Sequence, residues 1–232
     1  MGVKAINALQ EIWNGFDFSR LQEIFMRVIP ALLCITLHEL SHGAVAYALG
    51  DDTAKKAGRL TLNPIKHLDV MGLLMMVIFG FGYAKPVPVD MMNFKNPKRG
   101  MAITAFAGPL SNVLIAVLFL FLYGFLYPIL PEGKAGDVAL EMLGITASLS
   151  LAMAIFNLLP IPPLDGSKVL FSLLPEEGYW KLMQYERYGF LVLIALLYFN
   201  IIDGPLQWLL RTGMELLAPV LRAGYSLGTM LV

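Results

Sequence analysis

His38-Glu39-Leu40-Ser41-His42 holds the densest chemistry in the chain. On a helix, residues four apart stand one above the other on the same face. Two imidazoles so placed can grip one Zn²⁺ together. The glutamate beside the first can take a proton from water at the metal, as a general base. An ionisable residue inside an apolar span costs at least ~2.5 kcal/mol even on the mildest insertion scale, so it marks a functional site. The plain alternative, three polar residues lining a packed helix, leaves that cost without a return.

A catalytic zinc takes three protein ligands and keeps one position open. The third must come from elsewhere. His67 is the one remaining histidine, and Asp165 is the one acid next to a long uncharged run on the same predicted face. Asp165 closes the stretch Asn157-Leu158-Leu159-Pro160-Ile161-Pro162-Pro163-Leu164-Asp165-Gly166. Three prolines break a helix there and free backbone groups, which is tolerable only beside protein or a water-filled cavity. The competing reading of Asp165-Gly166 is ordinary turn chemistry.

These residues need elements to carry them. Of the 232 residues, 57% are hydrophobic and only 15% charged, against about 25% charged in a typical soluble domain. So apolar a chain cannot cover a water-facing surface, and it is not disordered. Net charge is zero, which gives a nucleic acid no electrostatic footprint. The single cysteine, Cys34, excludes an internal disulfide and a C-x-x-C metal site.

The charges thin out in three places. Glu39 is the only one between Arg27 and Asp51, and there is none from Gly100 to Pro131 or from Met142 to Leu164. Each stretch meets the ~20 residues needed to cross a bilayer as a helix. A fourth, weaker span is expected from about Tyr188 to Asn200, short for a crossing and with an earlier start near Met183. Val70 to Ala84 is uncharged but too short to cross, and with Gly80, Gly82 and Pro86 it reads as re-entrant or interfacial.

Val3, Ile6, Leu9, Ile12 and Trp13 have the spacing of a surface helix, as do Trp208, Leu209, Leu216, Leu217, Val220 and Leu221 near Arg211 and Arg222. The expectation is an all-α polytopic membrane protein: one domain over 1–232, with a three-helix core, further helices and a re-entrant or extended membrane loop. The core covers about 28–200, with 1–20 and 205–232 interfacial. No signal peptide is expected.

Eleven basic residues, from Lys55 to Lys66, Lys85 to Arg99 and Lys168 to Arg187, fall on one face if the spans alternate; six fall on the other. The positive-inside rule puts the larger set in the cytosol. His42 is then roughly 13 Å from a helix end at Asp51, at ~1.5 Å per residue.

With these residues in view, the sequence resembles the site-2 protease family of intramembrane zinc metalloproteases. His38-Glu-Leu-Ser-His42 with Gly43 looks like the catalytic motif, Asn157 to Gly166 like the third-ligand motif, and Ala107-Gly108-Pro109-Leu110-Ser111-Asn112 like the Gly-Pro-x-x-Asn stretch of the middle core span. Gly58 to Asp69 and Tyr83 to Gly100 also look like the compact bacterial and archaeal members. The resemblance implies hydrolysis of peptide bonds in or beside the transmembrane segments of other proteins, in a prokaryotic cell membrane. One Zn²⁺ would be held by His38, His42 and Asp165, with Glu39 activating water.

Asn157 and Asn112 would hold the substrate backbone or stabilise the oxyanion, an amide donor being suited to developing charge. Interhelical hydrogen bonding is the bland alternative for both. Phe79 to Val89 resembles the family's extended membrane loop, whose edge could pair with an unwound substrate. His67 is expected to bond a loop rather than the metal. The chain length is expected to leave no room for the peptide-binding or nucleotide-sensing domains of larger relatives. Two other classes compete: a protease-like protein that binds transmembrane helices without cutting, which has no need of Glu39, and a metal transporter, which would spread polar residues across the bilayer.

Overall fold

A computed structural model describes residues 18–69 and 85–232. The expectations for Val3–Trp13 and Val70–Ala84 lie outside the described residues, and the expected extended loop is described only from Lys85 onward.

Among the described residues there are seven α-helices and no strand: α1 (Phe18–Ala48), α2 (Thr53–Lys56), α3 (Pro97–Leu126), α4 (Lys134–Asn157), α5 (Asp165–Phe171), α6 (Glu176–Tyr198) and α7 (Asp203–Gly228). Short 3₁₀ turns occupy Pro64–His67 and Met91–Asn93. α1, α3 and α4 are each long and apolar enough to cross a membrane; α6 and α7 pass that test together but meet at 86°. The chain is an all-α, multi-pass membrane protein.

Local sequence sets the boundaries. α1 stops at Ala48 rather than at Asp51, because Gly50 turns the backbone to φ +109°. That leaves His42 six residues from the helix end, about 9 Å at ~1.5 Å per residue. α3 begins where the Asn96 side chain accepts a hydrogen bond from the Arg99 amide at 3.1 Å, with Pro97 in the first turn, where its missing N–H costs nothing. α4 ends at Asn157, just before the three prolines.

α1, α3 and α4 form the core. Cys34 Sγ on α1 donates to Thr146 O on α4 (3.8 Å), and Ser150 Oγ on α4 donates to Asn112 O on α3 (2.8 Å). His38 meeting Asn112 and His42 meeting Thr104 make α1 and α3 antiparallel, and Ser150 on Asn112 with Gly144 beside Tyr123 makes α3 and α4 antiparallel, so α1 and α4 run parallel. Buried Ala46, Ala105, Ala116, Ala147 and Ala154 let the backbones approach closely. Phe25, Ile29 and Leu33 on α1 and Leu110, Leu114 and Leu118 on α3 point outward, an apolar exterior suited to lipid.

α7 lies along the C-terminal half of α3 in the same direction. Gly224 presses on Phe121 O, and Gly228 on Phe125 O. Behind α4, the broken stretch 158–164 rests on α6: buried Leu164 packs with Leu193 and Ile202, supported by Phe156, Leu159 and Ile161. Gly166 tucks under Leu158 O, where a β-carbon would not fit. That close approach lets α5 start directly against the end of α4.

Candidate metal centre

The C-terminal half of α1 presents His38 and His42 to α3 and α5. Their Nε2 atoms are 3.0 Å apart, and Asp165 Oδ2 is 3.2 Å from the first and 3.1 Å from the second. The side chains of His38, His42 and Asp165 are only 6%, 12% and 14% exposed. Asp165 Oδ2 is buried, and no correctly directed hydrogen bond reaches it. Two ring nitrogens and one carboxylate oxygen thus converge on one point. Tetrahedral zinc, with bonds of 2.0–2.2 Å, sets its ligand atoms about 3.3 Å apart, close to the edges of this triangle. Imidazole with carboxylate also suits that ion better than the hard, oxygen-seeking cations. Among the described residues, this is the one cluster able to hold a metal ion.

Two elements place the three side chains. α1 supplies both histidines, one helical turn apart, with rings edge to face at 4.6 Å between centroids. Asp165 arrives on the first turn of α5, directly after the buried Leu164. The wall facing the two rings is α3. Thr104, Gly108 and Asn112 recur there every four residues, so they share one face. Thr104 O accepts a hydrogen bond from His42 Nδ1 at 2.7 Å. Donation from Nδ1 leaves Nε2 free of hydrogen, the form needed to ligate a metal. Gly108 makes room: a β-carbon there would lie 2.6 Å from His38 Cε1 and closer still to His42 Nε2.

Glu39 meets the extended segment Lys85–Asp90. Its Oε2 accepts the Val87 amide at 2.8 Å. Pro86 and Pro88 flank Val87 and favour extended backbone. Lys85 N donates to His67 O (2.9 Å), and Arg59 Nη2 donates to Lys85 O (2.6 Å). At the other end, Asp90 N donates to Asp51 Oδ2 at 2.8 Å. Asp51 is fully buried and also accepts from Thr53 N (3.1 Å) and Asn93 Nδ2 (2.8 Å).

Of the residues singled out from sequence, the structure brings His38, His42, Asp165 and Asn112 into contact, with Glu39 beside them. Asn112 is fully buried, its side-chain amide 3.1 Å from His38 Nδ1. The contact it makes is with His38 rather than with an open face. Asn157 is partly exposed at the end of α4 and donates to Met153 O at 3.0 Å, one turn back. That hydrogen bond stays within α4. His67 is buried in its loop with Nε2 2.9 Å from Thr61 O, away from the ligands. Sequence reading missed Thr104, which acts through its backbone, and Val87. The four-residue recurrence back from Asn112 was the available signal for Thr104.

Comparison with known proteins bears on the same elements. A family profile described as Peptidase family M50 matches residues 129–199, a stretch that includes Asn157 and Asp165. "Putative zinc metalloprotease YwhC" of Bacillus subtilis is 43% identical over 171 residues, covering 73% of this chain and 78% of the relative. "Putative zinc metalloprotease Rip2" of Mycolicibacterium smegmatis is 34% identical over 180 residues, covering 75% and 67%. An archaeal relative, "Putative zinc metalloprotease MJ0611" of Methanocaldococcus jannaschii, is 33% identical over 135 residues, 57% of this chain and 62% of its own. No solved structure gives a significant match. Identity at the level of the Bacillus protein, over most of both chains, establishes common descent, and with it that this membrane protein belongs to peptidase family M50, the site-2 protease family of metalloproteases.

Proposed function

We propose that the chain hydrolyses peptide bonds in or next to the membrane-spanning segments of other membrane proteins. His38, His42 and Asp165 hold one Zn²⁺ and Glu39 serves as the base. The observation that carries this reading is the triangle of Nε2, Nε2 and Oδ2 with 3.0–3.2 Å edges, set inside a span with Glu39 one residue from the first ligand. When bound, Zn²⁺ polarises the scissile carbonyl and makes water a nucleophile near neutral pH.

The chain's own residues do the rest. The two histidines and Asp165 fix the ion against α3. Glu39 takes the proton of the attacking water and hands it to the departing amine nitrogen. Asn157, at the partly exposed end of α4, offers an amide N–H to the substrate backbone or to the oxygen that gains charge. The site lies about 9 Å inside the end of α1, close to Lys55, Lys56, Arg59 and Lys66, and the positive-inside rule makes that end cytosolic. A peptide bond in a helix is hydrogen-bonded and shielded, so the substrate must unwind locally. Helix-breaking residues near its cleavage point favour that. The partners are therefore a transmembrane protein substrate and the lipid bilayer, with no role for nucleic acid.

The test pairs the purified protein in detergent with its Glu39→Gln variant. Both are expected to carry about one zinc per chain, and only the parent is expected to cut a helix-destabilised transmembrane substrate. Loss of rate in the variant should be about 10²–10⁴-fold, the usual weight of a general base. Folded parent protein that binds no zinc would overturn the ligand assignment. A variant that cuts as fast as the parent would overturn the role of Glu39.

A further inference from the structure

Asn112 sits at the hub of the core. It is fully buried on α3, its backbone carbonyl is held by Ser150 of α4, and its side chain meets His38 of α1. We propose that Asn112 is a positioning residue for the metal: its side-chain carbonyl accepts the Nδ1–H of His38 and so fixes the tautomer that points the bare Nε2 at His42 and Asp165.

Three observations lead there. First, the two nitrogens of each ring divide the work. His42 Nδ1 lies 2.7 Å from a backbone carbonyl, which can only accept, so His42 carries its hydrogen on Nδ1 and bares Nε2. Second, His38 Nε2 belongs to the same triangle, 3.0 Å from His42 Nε2 and 3.2 Å from Asp165 Oδ2. A ligating nitrogen carries no hydrogen, so His38 must also carry its own on Nδ1. That hydrogen then needs an acceptor, and the group 3.1 Å away is the Asn112 amide. Third, the amide's oxygen is the buried atom left without a partner, while its nitrogen faces Nδ1. Oxygen and nitrogen of a carboxamide are exchanged by a half-turn, and the hydrogen-bond network decides between them. The half-turn puts the orphaned acceptor against the one hydrogen that requires it. Metal-binding histidines regularly donate their second N–H to a carbonyl or carboxylate, and the loss of such a partner weakens metal binding.

This assignment differs from a role in oxyanion stabilisation, in which Asn112 would donate to substrate. It also makes α3 a matched brace for both rings, with Thr104 O on one and Asn112 Oδ1 on the other, two turns apart. The inference rests on the zinc reading above, and the experiment separates the two. Zinc affinity of detergent-purified protein is measured by chelator competition for the parent, Asn112→Leu and Asn112→Asp, with helicity and thermal midpoint checked for each. Leucine is close in size but neither donates nor accepts; aspartate accepts only.

A parent that fails to bind zinc sinks the zinc reading itself. With the parent binding, Asn112→Leu is expected to lose about 10–100-fold in affinity, while Asn112→Asp stays within about threefold of the parent or binds more tightly, as carboxylate–histidine–zinc arrangements do. Should the leucine variant not fold, Asn112→Ala takes its place. Aspartate failing as badly as leucine would show that the amide donates, and would overturn the proposal. So would unchanged affinity in both variants, most plainly if turnover alone were lost.

Discussion

His38, His42 and Asp165 are gripped by helices, whereas Glu39 is met by extended backbone. The ligand side is built from α1, α3 and α5, with buried rings, a glycine wall and backbone or amide groups on each second nitrogen. The base side is a Pro-Val-Pro segment pinned at its ends by His67, Arg59 and Asp51, touching Glu39 through one amide. Metal geometry tolerates little displacement, and helix packing supplies that stiffness. On the proposed reading Glu39 is the base, and among the described residues it is met by the extended segment Lys85–Asp90. The contrast predicts that damage on the first side removes metal, and damage on the second removes turnover while metal stays.

The largest effect should come from Gly108→Ala. The new β-carbon would fall on the two imidazoles, which their Nδ1 contacts hold in place. Zinc affinity is expected to drop about 100-fold, at the upper end for lost ligand support, with helicity unchanged by circular dichroism. Retained affinity would show that the wall yields. Next is Val87→Pro, which deletes the one N–H that Glu39 accepts among the described residues. Hydrogen bonds to charged groups are worth about 1.5–3 kcal/mol, so kcat should fall by about 10–100-fold. Zinc content should match the parent; loss of zinc here would erase the distinction between the two sides.

The smallest effect concerns the clip at Asp51. Burial alone would raise its pKa, but the hydrogen bonds from Thr53, Asn93 and Asp90 outweigh burial and hold it below the usual carboxylate value. A carboxylate depressed in the folded state contributes stability above its unfolded pKa of about 3.9, and that stability fades as pH falls through the folded value. The parent should therefore lose about 1 kcal/mol relative to Asp51→Asn between pH 5 and acid, measured by unfolding in detergent. Parallel pH curves for the two proteins would remove Asp51 as an anchor of the segment Lys85–Asp90, the strap over Glu39.

Much of the ligand side was legible because its signals are side chains in fixed registers. The i, i+4 histidines, the proline break before Asp165 and the three uncharged runs each follow from chemistry that a residue name carries. Thr104 was not legible, because its contribution is a carbonyl that every residue owns. The strap was half legible: Pro86 and Pro88 announced extended chain, but which amide would reach Glu39 depends on the folding back of residues 85–90 over α1. The C-terminal segment misleads in another way. Its apolar side chains suggest a surface helix, yet its contact with α3 runs through Gly224 and Gly228, where backbone meets backbone and hydrophobicity is silent. The end of α1 was placed three residues late, because Gly50 rather than the first charge ends the helix.

The isolation of the Val87 amide has a use of its own. Its neighbours on both sides are prolines and have no exchangeable backbone hydrogen. A deuterium label entering the Pro86–Pro88 backbone can therefore occupy only one place, and that place is the contact with Glu39. Exchange protection there is a direct reading of how often the base is uncovered, free of overlap from adjacent amides. The segment that meets Glu39 thus carries its own reporter of that contact.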